Sequence, residues 1–140
     1  MTINIKLSLR KVSCLYGGFV LLPLSIAVLT YCLFRFDLPP LLEWMWHQPP
    51  IKLSSNFDWL VYNAADGLWA FALMSFLVLM CRDDSKLTRR VYYAAGAVLM
   101  VALEVLQGSL LPGTFDSMDL LAILLGAGAA WFILSRCLIR

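Results

Sequence analysis

Six side chains able to donate, accept or carry a proton are set into the apolar helices between Trp59 and Asp119: Asn63, Asp66, Glu104, Gln107, Asp116 and Asp119. They fall in pairs three residues apart. That spacing puts both members of a pair on one helix face, or across the first turn of a helix as cap and partner. Carboxyl groups so placed can share a proton, hold a cation or cationic head group, or run acid and base steps on a bound molecule.

No lysine or arginine interrupts the apolar runs that carry Asp66 and Glu104. Ionisable groups at membrane depth are costly, which leaves three ways to accommodate them. They are protonated and hydrogen-bonded to Asn63 and Gln107, they face a wet cleft, or they bind a cationic group. The first makes them a polar clasp between two helices, and the other two make a functional pocket. For Asp116 and Asp119 the competing reading is a helix N-cap with its capping-box partner, both favoured at the positive end of the helix dipole. Asp119 points into a bundle more readily than Asp116.

Catalysis is not favoured, because no nucleophile stands beside a base and no oxyanion or phosphate cradle is evident beyond the start of the last helix. His47 is the sole histidine and has no cysteine near it, so no metal-ligand spacing exists and neither a metal nor another cofactor is expected.

The elements that must position these groups are membrane helices. Of 140 residues, 61% are hydrophobic, and the mean hydropathy is +0.81. A soluble domain is about half apolar, so the chain reads as one integral membrane domain, residues 1–140. Four stretches approach the roughly twenty residues that cross about 30 Å of hydrocarbon: 14–34, 59–81, 91–107 and 118–135. Each must be helical, since a backbone in lipid has to satisfy its own hydrogen bonds and no strand-like alternation is present. The expected architecture is an all-α four-helix bundle.

Basic residues orient it. Lys6, Arg10 and Lys11, then Arg82, Lys86, Arg89 and Arg90, then Arg136 and Arg140 all fall on one side, leaving Arg35 and Lys52 on the other. The positive-inside rule makes that side cytoplasmic and puts both termini there. Only Asp83 and Asp84 of the nine acids share it, so the formal balance is +7 inside (nine basic, two acidic) and −5 outside (two basic, seven acidic). All six site residues then lie toward the outer face. The polarity argues against a nucleic-acid partner.

Several local features refine this picture. The N-terminus has a basic start and an apolar run, but the run is as long as a span and no small-x-small site follows it, so it is expected to remain as the first helix. Pro23 predicts a kink in that helix, and Gly17 and Gly18 thin its surface for a neighbour. In the first outer segment, Pro39-Pro40 and Pro49-Pro50 bracket Leu41 to Gln48, a short helix suited to the headgroup layer, with Trp44 and Trp46 as an interfacial belt. Trp69 and Trp131 are expected to pack inside. The loop 82–90 is a short hairpin that makes the second and third helices antiparallel neighbours, and Pro112-Gly113 marks the return turn. Gly126 and Gly128, with Ala127, Ala129 and Ala130, give the fourth helix a small-residue flank for close packing. Cys14, Cys81 and Cys137 map to inner helix ends and Cys32 to an outer end, so no structural disulfide is expected.

The order Glu104-Val-Leu-Gln107, a turn-bearing loop, then Asp116-Ser-Met-Asp119-Leu-Leu and Gly126 resembles the C-terminal half of VanZ-like membrane proteins. That family shows E-x-x-Q at the end of one helix and R-x-x-D-x-x-D opening the next, with an acid near the start of the preceding helix, matched here by Asp66. The resemblance covers roughly Asp66 to Gly126. The family's arginine has no counterpart near Gly113, and Ala122 stands where its asparagine falls. Gly113 to Ala122 is also similar to the G-x-F-x-x-x-D-L-L-A stretch of a related family of small bacterial membrane proteins. The resemblance implies a bacterial inner-membrane protein of the cell envelope, loosely associated with glycopeptide (teicoplanin) resistance.

Three functional readings follow. The first is an outward-facing acidic pocket that receives a polar or cationic group of a lipid, an envelope precursor or a glycopeptide. The second is a membrane enzyme using Asp66 and Glu104 as acid and base on a lipid-linked substrate. The third is a structural subunit working with a membrane protein partner or as a homo-oligomer. Membrane lipids are expected partners in all three.

Overall fold

The computed structural model describes residues 9–34, 51, 55–107, 110 and 115–139. All regular elements among them are helical: α1 (Leu9–Tyr16), a π-helical turn (Gly17–Leu21), α2 (Leu22–Phe34), α3 (Ser55–Met80), α4 (Lys86–Leu106) and α5 (Ser117–Ile139). α1, the π turn and α2 form one continuous rod, so the described chain makes four helices. The interfacial helix expected at 41–48, the belt of Trp44 and Trp46, His47 and the turn at Pro112-Gly113 lie outside the described residues.

Each helix begins ahead of the apolar stretch that predicted it, because helical winding starts before the first apolar residue. Arg10–Phe34, Leu60–Met80 and Ser117–Cys137 are long and apolar enough to cross a membrane. The fourth helix expected over 91–107 forms, but it is not among the three that are long and apolar enough by themselves. α4 is 21 residues long, but it contains Arg89 and Arg90 near one end and Glu104 near the other, which lower its apolar character below that of the other three.

The first rod bends by a different device from a simple proline kink. Pro23 lacks an N–H, and its ring crowds the carbonyl four residues earlier. The turn just ahead of it widens, so that the Leu22 N–H reaches the Gly17 carbonyl five residues back. Gly17 and Gly18 serve this turn and not a close helix contact, since a Cβ on either would meet nothing within 4 Å.

α3 is the central helix. α1 and α2 run antiparallel to it, tied at intervals along their length. Tyr16 packs edge-on against Phe76, and Phe19 stacks on Phe71, each at 6.3 Å between ring centroids. At the other end, Tyr62 donates to the Phe34 carbonyl at 2.8 Å.

α5 lies along α3 in the same direction and shares its largest interface. Ala70, Met74, Val78, Ala127, Ala130 and Leu134 fill it. Backbones come together where Gly67 meets Ala122 and Gly126: a Cβ on Gly67 would stand 3.2 Å from the Ala122 carbonyl oxygen, and one on Gly126 would run into the Gly67 carbonyl. The small-residue flank therefore divides. Gly126, Ala127 and Ala130 face the bundle, while Gly128 and Ala129 face outward.

α4 returns between the two, capped by Ser85, whose hydroxyl accepts from the Thr88 N–H at 3.2 Å. It rests on α3 where Gly96 receives the Leu77 side chain. Much of the remaining helix surface is apolar and exposed, as lipid-facing residues are. Trp69 and Trp131 belong to that surface, at 44% and 51% exposed. This corrects the expectation that they pack inside: the α3–α5 seam is too narrow for an indole where Gly67 meets Ala122 and Gly126, and farther along it is filled by Ala70, Met74, Val78, Ala127, Ala130 and Leu134. Cys14 and Cys137 are exposed, Cys32 and Cys81 are buried, and all four are free thiols.

Candidate functional site

One end of the bundle gathers the polar groups. Asp66 stands on α3 one residue before Gly67, and Asp119 stands on α5 three residues before Ala122. Because α3 and α5 touch at Gly67, Ala122 and Gly126, the carboxyl groups of Asp66, next to Gly67, and Asp119, one turn before Ala122, are carried close to each other across the seam. The carboxyls of Glu104 and Asp116 lie within electrostatic reach of Asp119. Asp119 and Glu104 are buried, at 8% and 4% exposed, and Asp66 is half-buried.

Tyr31 closes the group from the remaining side. Its hydroxyl donates to Asp66 Oδ1, so Asp66 is held between α2 and α5. Each of the four helices thereby contributes one group to the site: Tyr31, Asp66, Glu104 and Asp119.

The start of α5 is built differently from a capping box. Asp116 is the N-cap, and its Oδ1 accepts from the Met118 N–H at 2.9 Å. In a capping box the third helical residue, here Asp119, would accept from the Asp116 N–H. Glu104 on α4 takes that role, accepting the Asp116 N–H on Oε1 at 3.3 Å. Asp119 is left to turn inward toward Asp66.

Asn63 is buried on α3 one turn from Asp66. Gln107 is the C-cap of α4, with extended backbone and its N–H on the Glu104 carbonyl; it is half-buried. The sequence paired Asp66 with Glu104, whereas Asp66 and Asp119 are the carboxyls that the α3–α5 seam brings face to face. Tyr31 was not expected at the site. Its signal was a hydroxyl near the outer end of the first apolar run, at the same level as Asp66 by helix length.

A shallow groove of about 360 Å³ on α4, lined by Ala97, Val98, Val101, Ala102 and Val105, is wholly apolar and separate from these groups. Among the described residues no group of three or more His, Cys, Asp or Glu side chains is arranged to hold a metal ion. In comparison with protein-family models, curated proteins and solved structures, the chain matches none.

Proposed function

We propose that this chain is a polytopic membrane protein of the cell envelope whose acidic pocket receives a polar or cationic group of a lipid, an envelope precursor or a glycopeptide. The carrying observation is the close approach of Asp66 and Asp119. Two carboxyls are turned toward each other across the α3–α5 seam, although Asp119 had a local use in capping its own helix. An arriving cation offsets the mutual repulsion of the carboxyls, and Tyr31, Asp66, Glu104 and Asp119 supply oxygen atoms from four helices around it.

The positive-inside rule supports an outward-facing site, because the basic residues of the hairpin and of the helix ends lie at the opposite end. α4, with its apolar exposed face, is then the fourth span. The VanZ-like order of acids along α4 and α5 supports a bacterial inner-membrane location in the same way.

The test uses purified full-length protein in neutral detergent, titrated with a cationic amphiphile, dodecyltrimethylammonium, against its uncharged counterpart dodecanol, and separately with teicoplanin. Preferential thermal stabilisation by the cation or by the glycopeptide, lost in Asp119→Asn with folding intact, is the expected result. Equal responses to both amphiphiles, with no response to teicoplanin, reduce the acids to a clasp between helices. The clasp is the second reading, favoured by Tyr31 binding Asp66 from a third helix.

A further inference from the structure

At the opposite end of the bundle, the α3–α4 hairpin presents an arginine with unspent donors. Arg82 follows the last turn of α3, and its side chain is 25% exposed. Its Nε donates to Asp83 Oδ2 at 3.1 Å, but Nη1 is buried and meets no acceptor among the described residues. Asp83 does not occupy the guanidinium fork. It is the adjacent residue, is 84% exposed, and reaches only Nε, so the pair is a weak, water-facing one. A guanidinium offers five N–H donors in a planar fork that suits a phosphate oxygen pair. A buried donor without a partner points to an acceptor that arrives from outside the chain.

The surroundings narrow that acceptor to one kind of molecule. Lys86 and Arg90 are exposed on the first turns of α4, and Arg136 lies in the last turn of α5, stacked 4.0 Å over the Phe132 ring. Only Asp83 and Asp84 oppose them in this hairpin. Beside Arg82, Met80 is 62% exposed, and on α4 Leu87 and Val91 are 72% and 58% exposed. Leu87 and Val91 are four residues apart and share a helix face. A free phosphate or a nucleic-acid backbone would use the cations and leave these apolar side chains in water. A phospholipid uses both.

We propose that the α3–α4 hairpin seats an anionic phospholipid, its phosphodiester on Arg82 and its acyl chains along Met80, Leu87 and Val91. The site is independent of the acidic pocket at the other end.

Native mass spectrometry of the full chain in neutral detergent tests this, with phosphatidylglycerol and phosphatidylcholine added in equal amounts. Phosphatidylglycerol is expected to be retained preferentially, and Arg82→Gln to reduce that retention by about fivefold, the contribution of one basic residue at an anionic surface. Asp83→Asn removes the competing carboxylate and should raise retention. Millimolar inorganic phosphate should leave the lipid in place. The proposal is overturned by equal retention of the two lipids, by unchanged retention in Arg82→Gln, or by full displacement with inorganic phosphate, which would mark a bare anion site. Should Arg82→Gln fail to fold, Asp83→Asn decides alone, and unchanged retention there overturns the assignment.

Discussion

Gly67 and Gly126 meet backbone to backbone where α3 and α5 touch, and Asp66, next to Gly67, faces Asp119, two turns ahead of Gly126, across the same seam. The absence of side chains at one level brings two polar side chains together at the next.

A leucine at Gly126 must displace the Gly67 carbonyl, so Gly126→Leu is expected to cost about 1–3 kcal/mol, the range for overpacking a tight contact. Gly128, only two residues on, faces open space, and Gly128→Ala should be neutral or slightly stabilising. Thermal unfolding of both variants in detergent checks the pair. Equal behaviour would remove the close contact as the determinant of the site.

Removing the Tyr31 hydroxyl should cost about 0.6 kcal/mol and no more than about 1.7, as measured for side-chain bonds between membrane helices. Tyr31→Phe combined with Asp66→Asn in a double-mutant cycle isolates this bond. A coupling energy of zero would mean that the two groups do not interact in the folded protein.

Glu104 accepts the Asp116 N–H through a single oxygen, and glutamine retains such an acceptor. Glu104→Gln is therefore expected to leave unfolding unchanged while weakening retention of dodecyltrimethylammonium. Glu104→Ala deprives a backbone donor of its partner and should cost about 1–3 kcal/mol. If Gln and Ala unfold alike, Glu104 does not complete the cap of α5.

Ser85 caps the helix that carries Glu104. Ser85→Ala should lower stability by about 1 kcal/mol, while Ser85→Asp, which keeps an acceptor, should not. Circular dichroism melting of the two variants separates a lost cap from a general effect of changing the hairpin.

The acids of the site were legible in the sequence because carboxyls in apolar runs are rare and their spacing is helical. Their pairing was not. Whether Asp66 meets Glu104 or Asp119 depends on which helices touch most closely, and that is set at Gly67, a residue whose sequence context gives no sign of its partner. The N-cap role of Asp116 was readable from its position, but the substitution of Glu104 for Asp119 depends on α4 arriving at that spot, a contact between distant parts of the chain. Trp69 and Trp131 misled for a related reason. In water, large aromatic side chains go inside, but in lipid the outside is equally apolar, so the small residues take the seam and the indoles turn outward.

The π turn ahead of Pro23 sets the rotational phase of everything beyond it. One residue corresponds to about 100° around a helix axis, so a turn closed five residues back takes up an extra residue without changing the phase, and rewinding Gly17–Leu21 as regular α-helix with no residue lost would swing the outer half of the rod by about that angle. Phe19 lies within the rewound turn, but Tyr16 and Tyr31 lie on opposite sides of it and could no longer both face α3. The tyrosine would be carried away from Asp66 with its own chemistry untouched, leaving a site that is complete in composition and out of register in space.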